Sequence, residues 1–234
     1  MRRPDIALHT YHHIVLRGAR GMAYLHRQAD WWHCAQLLYY LNDSHSIRNW
    51  KRSVTKQNKN PFHWLEEWPV RDPITSVLAF ALHKNHLHII LNETREGGIS
   101  EFMQRFGDSM SKSYNQRFGG AGTIFQGPYK SRLIKTDADM RNVGLYVMAK
   151  NVMERYPKGG IKGAAMSFTN AIKWATADSF SSFPEYAGGR HSPIVEPDVL
   201  KTVYGTPDQF IKDAQDYITH YTERTNSLGD LALE

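Results

Sequence analysis

Residues 84–91, Lys84-Asn85-His86-Leu87-His88-Ile89-Ile90-Leu91, constrain this chain more than any other stretch. Successive side chains of a β-strand point to opposite faces, so residues two apart share a face. His86 and His88 therefore stand side by side, while Leu87 and Ile89 turn the other way into apolar packing. The preceding run, residues 74–83, reads as a second strand, and Lys84-Asn85 makes a tight turn between the two. Two neighbouring imidazoles can chelate a divalent metal, and a metal near a nucleophile suggests phosphate chemistry. Taken alone, a His-x-His pair is more often surface or satisfied polar structure, so its neighbours must decide.

The flanking pattern alternates strand and helix. Residues 9–17 read as an opening strand ended by Gly18 and Gly21, and residues 28–42 as a helix with Trp31, Trp32, Ala35, Leu38 and Leu41 at helical spacing. Residues 43–69 are polar and irregular and read as a long loop or short excursion. After the hairpin, Gly97-Gly98 and a Ser100 cap open a helix to about Arg117, with Phe102, Phe106, Met110 and Tyr114 on one stripe. A strand follows around residues 123–134. Asp137 then starts a helix that ends before Pro157. Beyond Gly160, residues 164–177 look helical, 179–197 are rich in Ser, Pro and Gly, and 208–222 form an amphipathic helix. This order predicts an α+β fold with a ferredoxin-like (RRM-like) antiparallel sheet and helices on one side. Residues 1–160 would be the functional domain and 161–234 a C-terminal helical extension.

No run approaches the ~20 apolar residues of a membrane span. Met1-Arg2-Arg3-Pro4-Asp5 does not open a signal peptide, and a single cysteine, Cys34, excludes an internal disulfide and a cysteine-rich zinc module. A cytoplasmic protein with no membrane partner is the simplest expectation. The 29 basic residues against 23 acidic ones give a net charge of +6, compatible with a polyanionic partner. Arg2, Arg3, Arg17, Arg20 and Arg27 load the N-terminal segment, and Lys51, Arg52, Lys56 and Lys59 form a second cluster. A third, Arg117, Lys130, Arg132 and Lys135, interleaves with Tyr114, Phe118, Phe125 and Tyr129. Cations among aromatics suit single-stranded nucleic acid, where phosphates meet charge and bases stack on rings. They also suit a solvated basic face over ordinary core aromatics. Arg17, Arg20, Lys51, Arg52, Arg117, Lys130 and Arg132 are the candidate contacts.

A nucleophile must lie near the histidines. Tyr146, on the helix after the last strand, is the best choice. A phenol with a pKa of about 10 attacks poorly at neutral pH. A divalent cation on the scissile phosphate removes that obstacle by neutralising charge in the transition state. A covalent phosphotyrosine then stores the bond for religation. A buried core tyrosine is the competing account, and among 12 tyrosines spacing cannot select one.

His86-Leu87-His88 after Asn85 resembles the His-hydrophobic-His motif of the single-tyrosine HUH transposases, and within these the REP-associated tyrosine transposases. Residues 11–18, Tyr11-His12-His13-Ile14-Val15-Leu16-Arg17-Gly18, resemble the family's opening strand. Gly122-Thr123-Ile124-Phe125-Gln126-Gly127-Pro128-Tyr129-Lys130-Ser131 resembles a family segment ahead of the tyrosine helix. Leu145-Tyr146-Val147 with Asn151 resembles the Tyr-Ile-x-x-Asn-Pro helix, and Ser181-Ser182-Phe183 with Tyr186 a later element. The likeness spans about residues 9–190. It implies Mg²⁺ or Mn²⁺ held by His86, His88 and a third polar ligand from the tyrosine helix. It also implies cleavage of single-stranded DNA near a hairpin, leaving a 5′-phosphotyrosine and a free 3′-OH, by a monomer or homodimer.

The chain departs from the pattern at two places. His83-Lys84-Asn85-His86 stands where the family usually has Met-Pro-Asn-His. The third ligand usually lies four residues after the tyrosine, one helical turn on. Here Lys150 holds that place, and an ammonium repels a divalent cation. Asn151 serves if the helix carries a local bulge; otherwise water or Glu154 takes the position. A DNA-nicking and rejoining transposase is the leading expectation. A hairpin-binding protein that has lost cleavage is the second. A metal-dependent phosphoesterase without covalent catalysis is the third, for which only His12-His13 offers a second histidine motif.

Overall fold

A computed structural model describes residues 6–57 and 60–221. Arg2, Arg3, Lys59 and the end of the last expected helix at residue 222 lie outside the described residues. Four strands form one sheet: β1 (Tyr11–Arg17), β2 (Ser76–Leu82), β3 (His86–Asn92) and β4 (Lys130–Ile134). Their order is β2-β3-β1-β4, and every pairing is antiparallel. The expected α+β class and ferredoxin-like strand order are present.

The register decides which side chains can meet. Arg17 lies opposite His86, Val15 opposite His88, and His13 opposite Ile90. On the outer strands Ala81 pairs with His88, and Arg132 with His13. Because strands alternate, His13, Val15, Arg17, His86, His88, Ala79 and Ala81 share one face. Leu16, Phe80, Leu87, Ile89 and Leu91 share the other. Apart from Arg17 and His86 at the hairpin end, both sets are buried, so both faces need cover. Helices accordingly lie on both sides rather than on one. The tyrosine-bearing helix packs on β2 and β3 over the histidine face, where Ala79 and Ala81 leave it room. On the opposite face Leu16 lines a cleft with Met103 and Gly107 of α3 (Gly98–Phe118).

Helix α1 (Gln28–Tyr40) falls where its apolar spacing puts it. The irregular stretch after it contains a short helix, α2 (Trp50–Gln57), whose Trp50 stacks on Tyr40 at 4.3 Å. Buried Asp43 ties that stretch down, accepting hydrogen bonds from the backbone N–H groups of His45 and Asp72. Helix α3 begins earlier than a Ser100 cap would allow. Gly97, at φ 73°, turns the chain into it, and the Glu93 carboxylate accepts from the Ile99 N–H at 2.8 Å. Ser100 instead shares a hydrogen bond with the Tyr129 hydroxyl. Strand β4 covers only the last five residues of the expected run.

Beyond β4 come α4 (Asp137–Leu145), a turn of π-helix (Tyr146–Lys150) and α5 (Asn151–Glu154). The Thr136 side chain caps α4 by accepting from the Asp139 N–H. The segment expected as one helix over 164–177 is two, α6 (Gly160–Met166) and α7 (Phe168–Thr176), broken at Ser167. α8 (Phe183–Tyr186), α9 (Asp198–Tyr204) and α10 (Pro207–Thr219) complete the described chain. The free edge of β2 is covered by this C-terminal part. Leu82 N–H donates to the Phe180 carbonyl and Ser182 N–H to that of Phe80, both at 2.9 Å. Tyr186 Oη donates to the Leu78 carbonyl. No helix among the described residues is long and apolar enough to cross a membrane.

Candidate active site

The site begins at the turn of the β2–β3 hairpin. Gly18, at the end of β1, donates its N–H to the Asn85 carbonyl at 2.8 Å, an approach a side chain would block. A Cβ at Gly18 would sit 2.2 Å from the Met22 carbonyl oxygen. Asn85 Nδ2 donates to the Gly21 carbonyl at 3.2 Å, which leaves Oδ1 facing the other way, 2.8 Å from His86 Nδ1. An amide oxygen only accepts, so His86 carries its proton on Nδ1 and a lone pair on Nε2. An outer partner of this kind fixes the tautomer of metal-ligating histidines in general.

His88 is fully buried, and its Nδ1 lies 3.0 Å from Nε2 of buried His13. The two rings stack at 5.2 Å. Tyr146 sets its ring edge-to-face against both, 5.4 Å from His88 and 5.8 Å from His13. Burial, reinforced by its histidine neighbours and Lys150, pushes the His88 pKa well below the ordinary imidazole value. Burial and then the Arg132 charge bring His13 down to about 3. Both rings are therefore neutral at pH 7, the form a metal requires. His88 Nε2 is buried and makes no hydrogen bond among the described residues.

The tyrosine helix answers the departure at Lys150. Between Tyr146 and Lys150 it widens into a π turn, and the Asn151 backbone N–H donates to the Tyr146 carbonyl. A π turn closes its hydrogen bond five residues on instead of four. Asn151 thus takes the place above Tyr146 that the fourth residue would hold in an α-helix. Its side-chain Nδ2 donates to the same carbonyl at 3.0 Å, and Oδ1 is buried without a hydrogen-bond partner among the described residues. Lys150 is buried beside the site: its Nζ meets Glu154 at 2.7 Å and lies 5.0 Å from the Tyr146 ring centre.

His83 closes the site from the end of β2. Its ring stacks on His86 at 4.2 Å, and its Nε2–H donates to the Asn151 carbonyl at 2.6 Å. Burial, with the nearby His86 and Arg155, lowers its pKa to about 3. His83, His86 and Glu154 each offer a ligand atom, all within 4.8 Å of one another. Two candidate donor sets share His86. The one the structure groups adds His83 and Glu154, already bonded to Asn151 and Lys150. The one the sequence motifs name adds His88 and Asn151, whose buried Nε2 and Oδ1 have no hydrogen-bond partner among the described residues. Both consist of nitrogen and oxygen without thiolate, which suits a divalent cation such as Mg²⁺ or Mn²⁺. His13 and His83 fall within segments quoted from the sequence, but neither is among the site residues expected from it. Strand alternation places His13 on the histidine face only once the β1–β3 register is known.

The candidate DNA contacts divide. Arg17 and Lys130 are exposed near the hairpin end of the histidine face, and Arg20 is exposed just beyond β1. Lys51 and Arg52 are exposed on α2. Arg117 is paired with Asp30, and Arg132 with Asp139, each at 2.8 Å, so both serve internal ion pairs.

No family model and no curated protein matches the chain. It is similar to a solved structure of a REP-associated tyrosine transposase bound to a REP hairpin. The two are 16% identical, the match covers 85% of this chain and 92% of that one, and the TM-score is 0.40.

Proposed function

We propose that this protein is a metal-dependent enzyme that nicks and rejoins single-stranded DNA near hairpins through a 5′-phosphotyrosine. The carrying observation is the π turn, which sets Tyr146 against His88 and His13 and brings Asn151 round to the tyrosine's face. In this reading Tyr146 is the nucleophile, and His86, His88 and Asn151 hold Mg²⁺ or Mn²⁺. When bound, the ion polarises the scissile phosphate and offsets the charge developing on it. Residues 1–160 carry the nuclease unit and 161–234 extend it.

The chain's own groups have separable tasks. Asn85 keeps the His86 lone pair on Nε2. His13 does the same for His88 by accepting from its Nδ1–H. The Lys150 ammonium stands beside the Tyr146 ring, while Glu154 balances part of its charge. Tyr146 Oη forms a bond to phosphorus as the bond to the 3′-oxygen breaks. Overall, the phenol's proton passes to the departing 3′-oxygen. Rejoining is the reverse step, with a 3′-OH attacking the phosphotyrosine.

The test is incubation with labelled single strands from the DNA flanking the gene, with Mn²⁺, followed by denaturing electrophoresis. A denaturant-stable protein–DNA adduct is expected from the unaltered chain and none from Tyr146→Phe. Absence of any adduct with a flanking hairpin would sink the proposal. An adduct surviving in Tyr146→Phe would put the nucleophile elsewhere.

A further inference from the structure

Beside the histidine cluster lies a cavity of about 610 Å³, within the ordinary size range of ligand pockets. Its apolar walls are Trp31 from α1, Trp174 from α7 and Phe180 from the segment that edges β2. Each of these rings is only partly buried. The Trp31 and Phe180 rings stand 5.3 Å apart, tilted by 48°. The Arg155 guanidinium lies against both indoles, 5.5 Å from Trp31 and 5.8 Å from Trp174. Buried Asp178 pairs with it through both carboxylate oxygens, which holds the guanidinium in place and offsets its charge. Arg155 therefore offers a planar stacking surface more than a bare cation.

The remaining wall is polar. His83 and Glu154 belong both to this cavity and to the cluster that includes His86. The Gln28 amide adds a donor and an acceptor, and Lys84, exposed at the hairpin turn, adds a cation at the rim. Flat aromatic walls, hydrogen-bonding groups for a ring edge and a cation outside make the chemistry of a nucleobase pocket. A shared wall with the metal-ligand cluster makes a neighbouring unpaired base of the same strand the fitting occupant.

We propose that this cavity binds one unpaired nucleobase of the substrate strand, next to the scissile phosphate, stacked among Trp31, Trp174 and Phe180. The proposal rests on the single-stranded DNA reading above and adds a base-binding subsite to it. It also gives the residues after 160 a direct part in holding substrate.

The test measures binding without cleavage, in chelator, by fluorescence anisotropy with the full chain. The probes are stem-loops from the DNA flanking the gene, with single-stranded tails either intact or made abasic. Base–aromatic stacking predicts that the unaltered chain binds intact tails about tenfold more tightly than abasic ones. Trp174→Ala and Trp31→Ala should each erase most of that preference, with abasic tails bound as before, and Trp174→Phe should keep it. Thermal melts identify any variant that fails to fold, and Trp174→Phe then carries the test against the unaltered chain. If the unaltered chain binds intact and abasic tails alike, or the alanine variants keep the preference, the base pocket is overturned and the nicking reading stands. If the unaltered chain binds no stem-loop, both fall.

Discussion

At the scale of single residues, the tautomer of the motif histidine His86 is set by a neighbour, Asn85. Asn85 is held by the Gly21 carbonyl on one side and accepts from His86 on the other. Removing such an outer partner typically costs ten- to a hundredfold in metal affinity. Asn85→Ala should weaken Mn²⁺ binding, followed by titration calorimetry, by about that factor. Asn85→Asp keeps the acceptor and should retain most of the affinity. Equal losses in both variants would show that the amide orders the turn instead of the proton. The two donor sets separate in the same assay. His88→Ala and Asn151→Ala should abolish binding, and Glu154→Gln should spare it; the opposite pattern would move the ion to His83, His86 and Glu154. Tyr146→Phe keeps the ring that packs on His13 and His88, so its melting temperature should stay within a few degrees of the unaltered chain while adduct formation is lost.

At the scale of elements, the π turn behaves as a one-residue insertion absorbed by the helix. Deleting Lys150 places the asparagine four residues after Tyr146, where a plain α-helix sets it on the same face. That variant should keep Mn²⁺ binding within about tenfold, whereas Asn151→Ala should not. Loss of binding in both would mean that the bulge itself shapes the site. The contrast also shows what can be read from a sequence. The hairpin, α1, α3 and α10 carry their apolar periodicity within one window, and they lie close to where that periodicity puts them. The need for a bulge was visible in the spacing of Tyr146 and Asn151, because a lysine stood on the expected turn. Its formation was not, because the Asn151 amide must bond back to the Tyr146 carbonyl inside a buried contact. Helix α2 escaped for a similar reason: Trp50 gains its ring partners from α1, and eight residues do not hold a helix alone. Glu93 replaced the expected Ser100 cap because it reaches the helix from the strand before it.

At the scale of the whole molecule, the C-terminal part is tied into the sheet and into the cavity beside the site. Glu185 anchors that part, accepting from the Ser192 N–H and from Lys201 at 2.8 Å each, with His191 at 2.9 Å. Burial alone would raise its pKa, but Lys201, the Ser192 N–H and His191 outweigh it and hold the carboxyl below its ordinary value. A depressed folded-state pKa stabilises the fold above the unfolded value and loses that contribution as pH falls through the folded one. Glu185→Gln should therefore lower the melting temperature at neutral pH, and the gap to the unaltered chain should close below about pH 4. A gap independent of pH would mean that packing, not charge, matters there.

The cover on β2 has a consequence in time. Phe80 and Ser182, hydrogen-bonded across that edge, are 102 residues apart in the chain. At ribosomal speeds that separation is on the order of ten seconds of synthesis. Throughout that interval the nascent chain presents a bare strand, Ser76–Leu82, made almost wholly of apolar residues, and bare strands invite pairing between molecules. The protein should therefore depend on ribosome-associated chaperones more heavily the more slowly it is translated. Slowing elongation after residue 82 should raise the aggregated fraction, unless a chaperone shields the strand until Ser182 emerges.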